Sequence, residues 1–134
     1  MVSCRRAVSS SYYALFHCLA RECADLLIGG AGSKRSREAW NQVYRSLEHG
    51  FAKGQCKDQR MIGLFPKEIQ DFANAFVSMQ EKRHEADYNP GARFTKSTVE
   101  SDIILVEQAI NDFKLAKKAD RRAFCAYVLL KKRQ

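Results

Sequence analysis

The residues best suited to chemistry lie between positions 80 and 90, in the stretch QEKRHEADYNP. An Arg guanidinium carries a charge that needs a partner when it is buried, and a His or a Tyr moves a proton. A partly buried charged cluster at a helix end is a candidate site, so we take as candidate site residues Arg83, His84, Asp87 and Tyr88. Arg83 and Asp87 are four residues apart, so on a helix they share a face and form an ion pair. A structural ion pair that fixes helix register is the alternative interpretation.

A helix must position Arg83. The apolar residues before it recur at helical spacing, and the same period continues through Arg83 and Asp87. The stripe consists of Ile69, Phe72, Phe76 and Met79. We expect both charged residues to point inward, where they need each other because burying one charge alone costs several kcal/mol. Pro90 and Gly91 end the helix within a turn.

Residues 3 to 28 are predicted to form one long helix with an apolar stripe. The stripe consists of Val8, Tyr12, Leu15, Leu19 and Leu26. Small residues beside it allow close approach by another helix, so we expect this helix to be central. Arg83 and Asp87 are predicted to contact it near Ser10, Tyr13 or His17.

The remaining pattern predicts a helix over 36–49, on which Arg45 and His49 share an outer face, and an irregular connection over 51–64. A further helix begins at Pro66, another after a capping box of Ser97 and Glu100, and a short one after the cap Asp120. The fold class is therefore predicted to be all-α. We expect one domain, 1–134, built as an up-and-down bundle of four long helices plus a short C-terminal helix.

Positive charge is concentrated at the C-terminal end of the chain. Residues 114 to 134 hold eight basic side chains and one acidic one, a net charge of +7, whereas residues 1 to 113 sum to +1. Among these basic residues are Arg121 and Arg122. The distribution favours a nucleic-acid contact that is limited to this segment and independent of base sequence. A solvated basic tail is the alternative interpretation.

Several classes of chemistry lack their sequence patterns. No Gly-rich phosphate loop follows a strand, and the His and Cys residues have no zinc spacing, so neither a cofactor nor a metal is expected. The five cysteines form no Cys-x-x-Cys pair, which is typical of reduced thiols in a cytoplasmic protein. No stretch approaches 18 apolar residues, and the polar residues that interrupt the first apolar run argue against a signal peptide, so no membrane contact is expected.

Two segments resemble the HEPN family of small, mostly prokaryotic, all-helical domains. RRAVSSSYYALFH, residues 5 to 17, is similar to the family's first-helix signature, and RHEADY, residues 83 to 88, is similar to its Arg-x-x-Ala-Asp-Tyr segment. The resemblance implies a homodimer in which the Arg-bearing helix ends face each other across a cleft. It also implies a metal-independent ribonuclease of a toxin-antitoxin or defence system, with an antitoxin as partner. The alternative is a noncatalytic module that binds RNA, a nucleotide or a minimal nucleotidyltransferase.

In the family's ribonucleases a His follows the Arg after four to six residues. Arg83 matches the Arg, but positions 88 to 90 hold no His. We consider His84, next to Arg83, and His49 or His17, from another helix or a second subunit, as its replacements. In the cleavage that the resemblance implies, Arg83 stabilises the charge that develops on the phosphate while a His or Tyr88 moves a proton. The candidate catalytic residues are therefore Arg83, His84, Asp87 and Tyr88. The residues predicted to bind RNA or a nucleotide are His17, Arg45, His49, Arg121 and Arg122.

Overall fold

The computed structural model describes residues 3–133, and these residues contain seven helices. They are α1 (Cys4–Leu27), α2 (Arg37–Ser46), α3 (His49–Lys57), α4 (Gln59–Ile62), α5 (Lys67–Tyr88), α6 (Lys96–Leu115) and α7 (Lys118–Leu129). These residues contain no strand, so the predicted all-α class is confirmed. Only α1, α5 and α6 have 20 or more residues, and the up-and-down arrangement of four long helices is not confirmed. None of the seven is long and apolar enough to cross a membrane.

Helix α1 is the central helix, as its broad apolar surface predicts. Its predicted stripe is fully buried at Val8, Tyr12, Leu15 and Leu19. The helix contacts α2, α5, α6 and α7, so several of its faces are covered by other helices. At its start the Ser3 side chain accepts a hydrogen bond from the backbone N–H of Arg6, which satisfies one free donor of the first turn.

Helix α2 is shorter than predicted. Ser36 caps its first turn by accepting from the backbone N–H of Ala39, but the helix ends at Ser46 instead of running to residue 49. Leu47 and Glu48, which follow, have an extended backbone, and the buried Leu47 side chain packs into the core. A new helix then begins at His49. The prediction that Arg45 and His49 share an outer face of one helix is therefore wrong.

The predicted irregular connection over 51–64 is also wrong, because this region contains most of α3 and all of α4. Gly50 and Gly54 lower the local helix propensity and hide α3 from a pattern-based prediction. Tertiary contacts compensate: Ala52 and Cys56 are fully buried. Packing of one face stabilises a short helix that would not form alone.

Helix α5 carries the predicted inward stripe. Ile69, Phe72, Phe76 and Met79 are all fully buried, which confirms the helical period. Pro66 is the cap that precedes the helix and not its first residue. The helix ends at Tyr88, so Arg83 and Asp87 both lie in its last two turns.

The caps of the last two helices differ from prediction. Thr95 caps α6 by accepting from the backbone N–H of Thr98, because the helix already begins at Lys96, ahead of the predicted box of Ser97 and Glu100. Helix α7 begins at Lys118, so Asp120 lies in its first turn, where a carboxylate favours the positive helix end.

Candidate functional site

The side chain of Arg83 extends from α5 toward α1 and is only 12% exposed. The guanidinium carbon is 5.2 Å from the ring centroid of Tyr12 and 5.7 Å from that of Tyr13. Both distances are within the range of a cation–π interaction. The prediction that Arg83 contacts the first helix near Tyr13 is confirmed, and its buried neighbour Tyr12 is an additional contact.

The ion pair of Arg83 with Asp87 is present, with 3.4 Å between Nη1 and Oδ2. Asp87 also accepts a hydrogen bond of 2.8 Å from the Ser9 hydroxyl of α1. The prediction that both side chains point inward is confirmed for Arg83, whereas the Asp87 side chain is 35% exposed. The Nε atom of Arg83 is buried and has no hydrogen-bond partner. The guanidinium is therefore incompletely satisfied, which is unusual for a purely structural ion pair.

The end of α5 is fixed by a second arginine, Arg5, from the first turn of α1. Its guanidinium donates hydrogen bonds of 2.5 to 3.0 Å to four backbone carbonyls, those of Ala86, Asn89, Pro90 and Ala92. These include a free carbonyl of the helix end and the loop that follows. Arg5 thus holds the helix segment that carries Asp87 against α1.

His49 joins this cluster from the first residue of α3. Its Nδ1 is 2.6 Å from the hydroxyl oxygen of Tyr12, and its ring stacks on Phe16 with a centroid distance of 3.9 Å. The ring also lies 5.5 Å from that of Tyr12 and 5.9 Å from that of Tyr13. Arg83 and His49 therefore border the same two tyrosine rings, although 34 positions separate them in the chain.

The surroundings of His49 favour its neutral form. Burial lowers its pKa below the ordinary value, and the positive charge of Arg83 and the proximity of His17 lower it further. Burial also raises the pKa of the Tyr12 hydroxyl, which stays a phenol despite the nearby Arg83. At neutral pH Arg83 therefore lies beside a neutral imidazole, that of His49, and a neutral phenol, that of Tyr12.

His17 continues the cluster along the exposed side of α1. Its ring stacks on Tyr13 at a centroid distance of 5.9 Å, and its Nδ1 is 2.8 Å from the hydroxyl oxygen of Tyr44 in α2. Tyr44 stacks in turn on Trp40. Tyr13 consequently has Arg83, His49 and His17 around it. We call the group formed by Arg83, His49, Tyr12, Tyr13 and Asp87 the Arg83 cluster.

The other predicted site residues lie elsewhere. His84 and Tyr88 are exposed and pack on each other, with ring centroids 4.8 Å apart. Arg45 is exposed on α2. Arg121 donates to the Ala116 carbonyl and pairs with Glu22 of α1 at 3.3 Å, while Arg122 is exposed. Of the nine predicted site residues, the structure brings together Arg83, Asp87, His49 and His17.

Sequence analysis missed Tyr12, a member of the Arg83 cluster, and also Arg5 and Ser9, which hold the helix end and Asp87 in place. All three lie in the segment RRAVSSSYYALFH, and their spacing of four and three residues places them along one side of α1. That spacing was the available signal. A group of three or more metal-ligating side chains does not occur among residues 3–133.

No model of a known protein family matches this chain, and neither a curated protein nor a solved structure matches it. The resemblance to the HEPN family thus rests on the two sequence segments alone.

Proposed function

We propose that the chain is a HEPN-like up-and-down bundle whose Arg83 cluster binds RNA and cleaves it as a metal-independent ribonuclease. The observation that carries the proposal is the meeting of Arg83 and a neutral His49 around Tyr12. His49 supplies from α3 the imidazole that is missing after Arg83. A cation beside a neutral base is what transfer of a phosphate to a ribose hydroxyl requires.

In the proposed step His49 takes the proton of a ribose 2′-hydroxyl. The 2′-oxygen forms a bond to the adjacent phosphorus, and the bond from phosphorus to the departing 5′-oxygen breaks. That oxygen takes a proton from water, which leaves a 2′,3′-cyclic phosphate and a 5′-hydroxyl. Arg83 stabilises the negative charge that develops on the phosphate oxygens. His49 serves as the base when its Nδ1–H donates to Tyr12, because its second ring nitrogen is then free to accept a proton.

Asp87 and Arg5 act by positioning in this proposal. Asp87 restrains the guanidinium of Arg83 and is itself held by Ser9. Arg5 fixes the helix end that carries both. The Nε of Arg83 is buried without an acceptor, so part of the hydrogen-bonding capacity of this guanidinium is unused by the protein itself.

The test is cleavage of a fluorescent single-stranded RNA by the purified protein in excess EDTA. We expect the unaltered protein to cleave the RNA and Arg83→Ala to cleave it at least about 100-fold more slowly, because one group that stabilises transition-state charge contributes about that factor to the rate. Arg93→Ala, which removes an exposed arginine near the same helix end, is the matched control and should cleave normally. Equal cleavage by both variants would remove Arg83 from the mechanism.

The same experiment separates the alternative function. RNA or nucleotide binding that requires Arg83 but yields no cleavage would support a noncatalytic module, such as the partner of a minimal nucleotidyltransferase. The homodimer and the antitoxin partner also belong to this proposal. Light scattering at tens of micromolar protein tests the dimer, and a purely monomeric protein would count against it.

A further inference from the structure

A cavity of about 360 Å³ lies between α1 and α6, and His17 is one of its lining residues. Its floor contains Ala14, Cys18 and Ile110, and its rim includes Arg21 from α1 and Lys114 from the end of α6. An apolar floor with a few convergent charged groups is the usual character of a small-molecule site. The proposed cleavage step does not use this cavity, although the predicted RNA-binding residue His17 lines it.

The charge around the cavity favours an anion. Two carboxylates also line it, but both already have partners: Glu22 pairs with Arg121 at 3.3 Å, and Asp25 pairs with Arg35 at 3.1 Å. Asp25 additionally accepts from the indole N–H of Trp40. By contrast, Arg21 and Lys114 are exposed and form no ion pair within residues 3–133. Two cations are therefore available at the rim.

One exposed side of α1 connects this cavity to the Arg83 cluster. Tyr13, His17 and Arg21 follow each other at intervals of four residues, so they lie on the same side of the helix, and all three are exposed. Tyr13 is also a contact of Arg83. At 1.5 Å per residue, Tyr13 and Arg21 are about 12 Å apart along the helix. Three to four nucleotides of a stacked strand, at about 3.4 Å each, span that distance.

We infer that the cavity is a second phosphate site, in which Arg21 and Lys114 bind a backbone phosphate of single-stranded RNA three to four nucleotides from the phosphate at Arg83. The rings of Tyr13 and His17 lie between the two phosphates, where exposed aromatic side chains stack with bases. The cavity floor receives the apolar face of a base or ribose. This inference rests on the proposed function, since it fixes the minimum length of the RNA and its path along α1.

The test compares oligouridylates of two and eight nucleotides whose 2′-hydroxyls are methylated to prevent cleavage. Binding of the longer strand is followed by fluorescence anisotropy and binding of the shorter one by NMR titration. The variant is Arg21→Gln with Lys114→Gln. The control, Arg93→Gln with Lys96→Gln, removes the same charge from exposed positions, and Lys96 lies about 27 Å from Lys114 along α6.

We expect the unaltered protein to bind the eight-nucleotide strand more tightly than the dinucleotide, and the Arg21/Lys114 variant to lose that difference. Loss of this one phosphate contact should also reduce the slope of log K against log salt by about 0.7. Dinucleotide binding should stay unchanged in both double variants.

Three outcomes would overturn parts of this account in distinguishable ways. If the control loses as much affinity as the variant, or if the variant binds the longer strand normally, the second site is wrong. The proposed function survives that result when dinucleotide binding still depends on Arg83. If the longer strand needs Arg21 and Lys114 but neither strand needs Arg83, the second site stands and the Arg83 cluster is not the binding centre. If neither strand binds at low salt, both proposals fail.

Discussion

Replacing Arg83 with Met distinguishes a ligand-binding arginine from a structural ion pair, because the two roles predict different losses of stability. Asp87 keeps its bond from Ser9 and is 35% exposed, so losing the ion pair costs about 0.5 kcal/mol. Losing the two ring contacts costs about 1–2 kcal/mol. Removing a buried Nε without a partner returns about 1 kcal/mol. The net expected loss is about 1 kcal/mol, since Met also retains the apolar packing of the stem.

The neighbouring Lys82 offers a matched control, because its replacement should lower stability strongly without affecting RNA binding. Its ammonium group contacts both oxygens of Asp102, at 2.8 and 2.9 Å, and the Asp102 side chain is only 10% exposed. Lys82→Met leaves that buried carboxylate without its cation. The loss should be about 2–3 kcal/mol, somewhat below the range for fully buried pairs because Lys82 is 35% exposed.

Urea unfolding followed by circular dichroism measures both losses. We expect Arg83→Met to unfold close to the unaltered protein and to lose RNA binding, whereas Lys82→Met is clearly less stable but binds RNA while folded. A loss for Arg83→Met that equals or exceeds that for Lys82→Met would refute this reasoning. Arg83 would then be a structural residue whose substitution harms function through folding.

Four further predictions follow from individual contacts. The unfolding free energy should fall as pH drops below about 6.5, because burial, Arg83 and His17 lower the pKa of His49 in the folded state and the unfolded chain then binds more protons. His49→Gln should flatten this pH dependence, measured by urea titrations at several pH values. An unchanged dependence in that variant would contradict the prediction. Tyr12→Phe removes the bond to His49 and should cost about 1 kcal/mol of stability, while the NMR-measured pKa of His49 changes; an unaltered pKa would contradict the contact. Arg5→Met should cost about 2–3 kcal/mol because four carbonyls lose a charged donor, and hydrogen exchange should increase at Asn89 and Ala92 but not in α7. Removing Lys131, Lys132 and Arg133 should weaken RNA binding equally for all sequences and lower its salt slope, measured by anisotropy; a sequence-dependent loss would contradict a purely electrostatic role.

The parts of the fold that follow from local periodicity could be predicted from the sequence. The buried apolar stripe of α5 and the extent of α1 follow from apolar residues at helical spacing. The same period predicted the contact of Arg83 with the first helix. The pairing of Arg83 with Asp87 follows from their spacing of four. These relations involve residues close in sequence, for which helix geometry alone fixes the neighbours.

The position of His49 could not be predicted in this way. Its contact with Tyr12 joins residues 37 positions apart, and it depends on the break after Ser46 that starts a new helix. The two glycines of α3 disguise that helix, which is stabilised by burial of Ala52 and Cys56 and not by its own propensity. The hydrogen bonds of Arg5 are likewise long-range, since a guanidinium on α1 finds its acceptors more than 80 positions away.

The most direct test of the central claim is cleavage of a DNA oligonucleotide that contains a single ribonucleotide, in excess EDTA. Only the ribose at that position offers a 2′-hydroxyl, so the account predicts one cut on its 3′ side and a product that ends in a 2′,3′-cyclic phosphate. Arg83→Met and His49→Gln should abolish the cut, and the folded Lys82→Met control should retain it. Equal cleavage of an all-DNA strand, or a cut that survives His49→Gln, would contradict the role assigned to the Arg83 cluster.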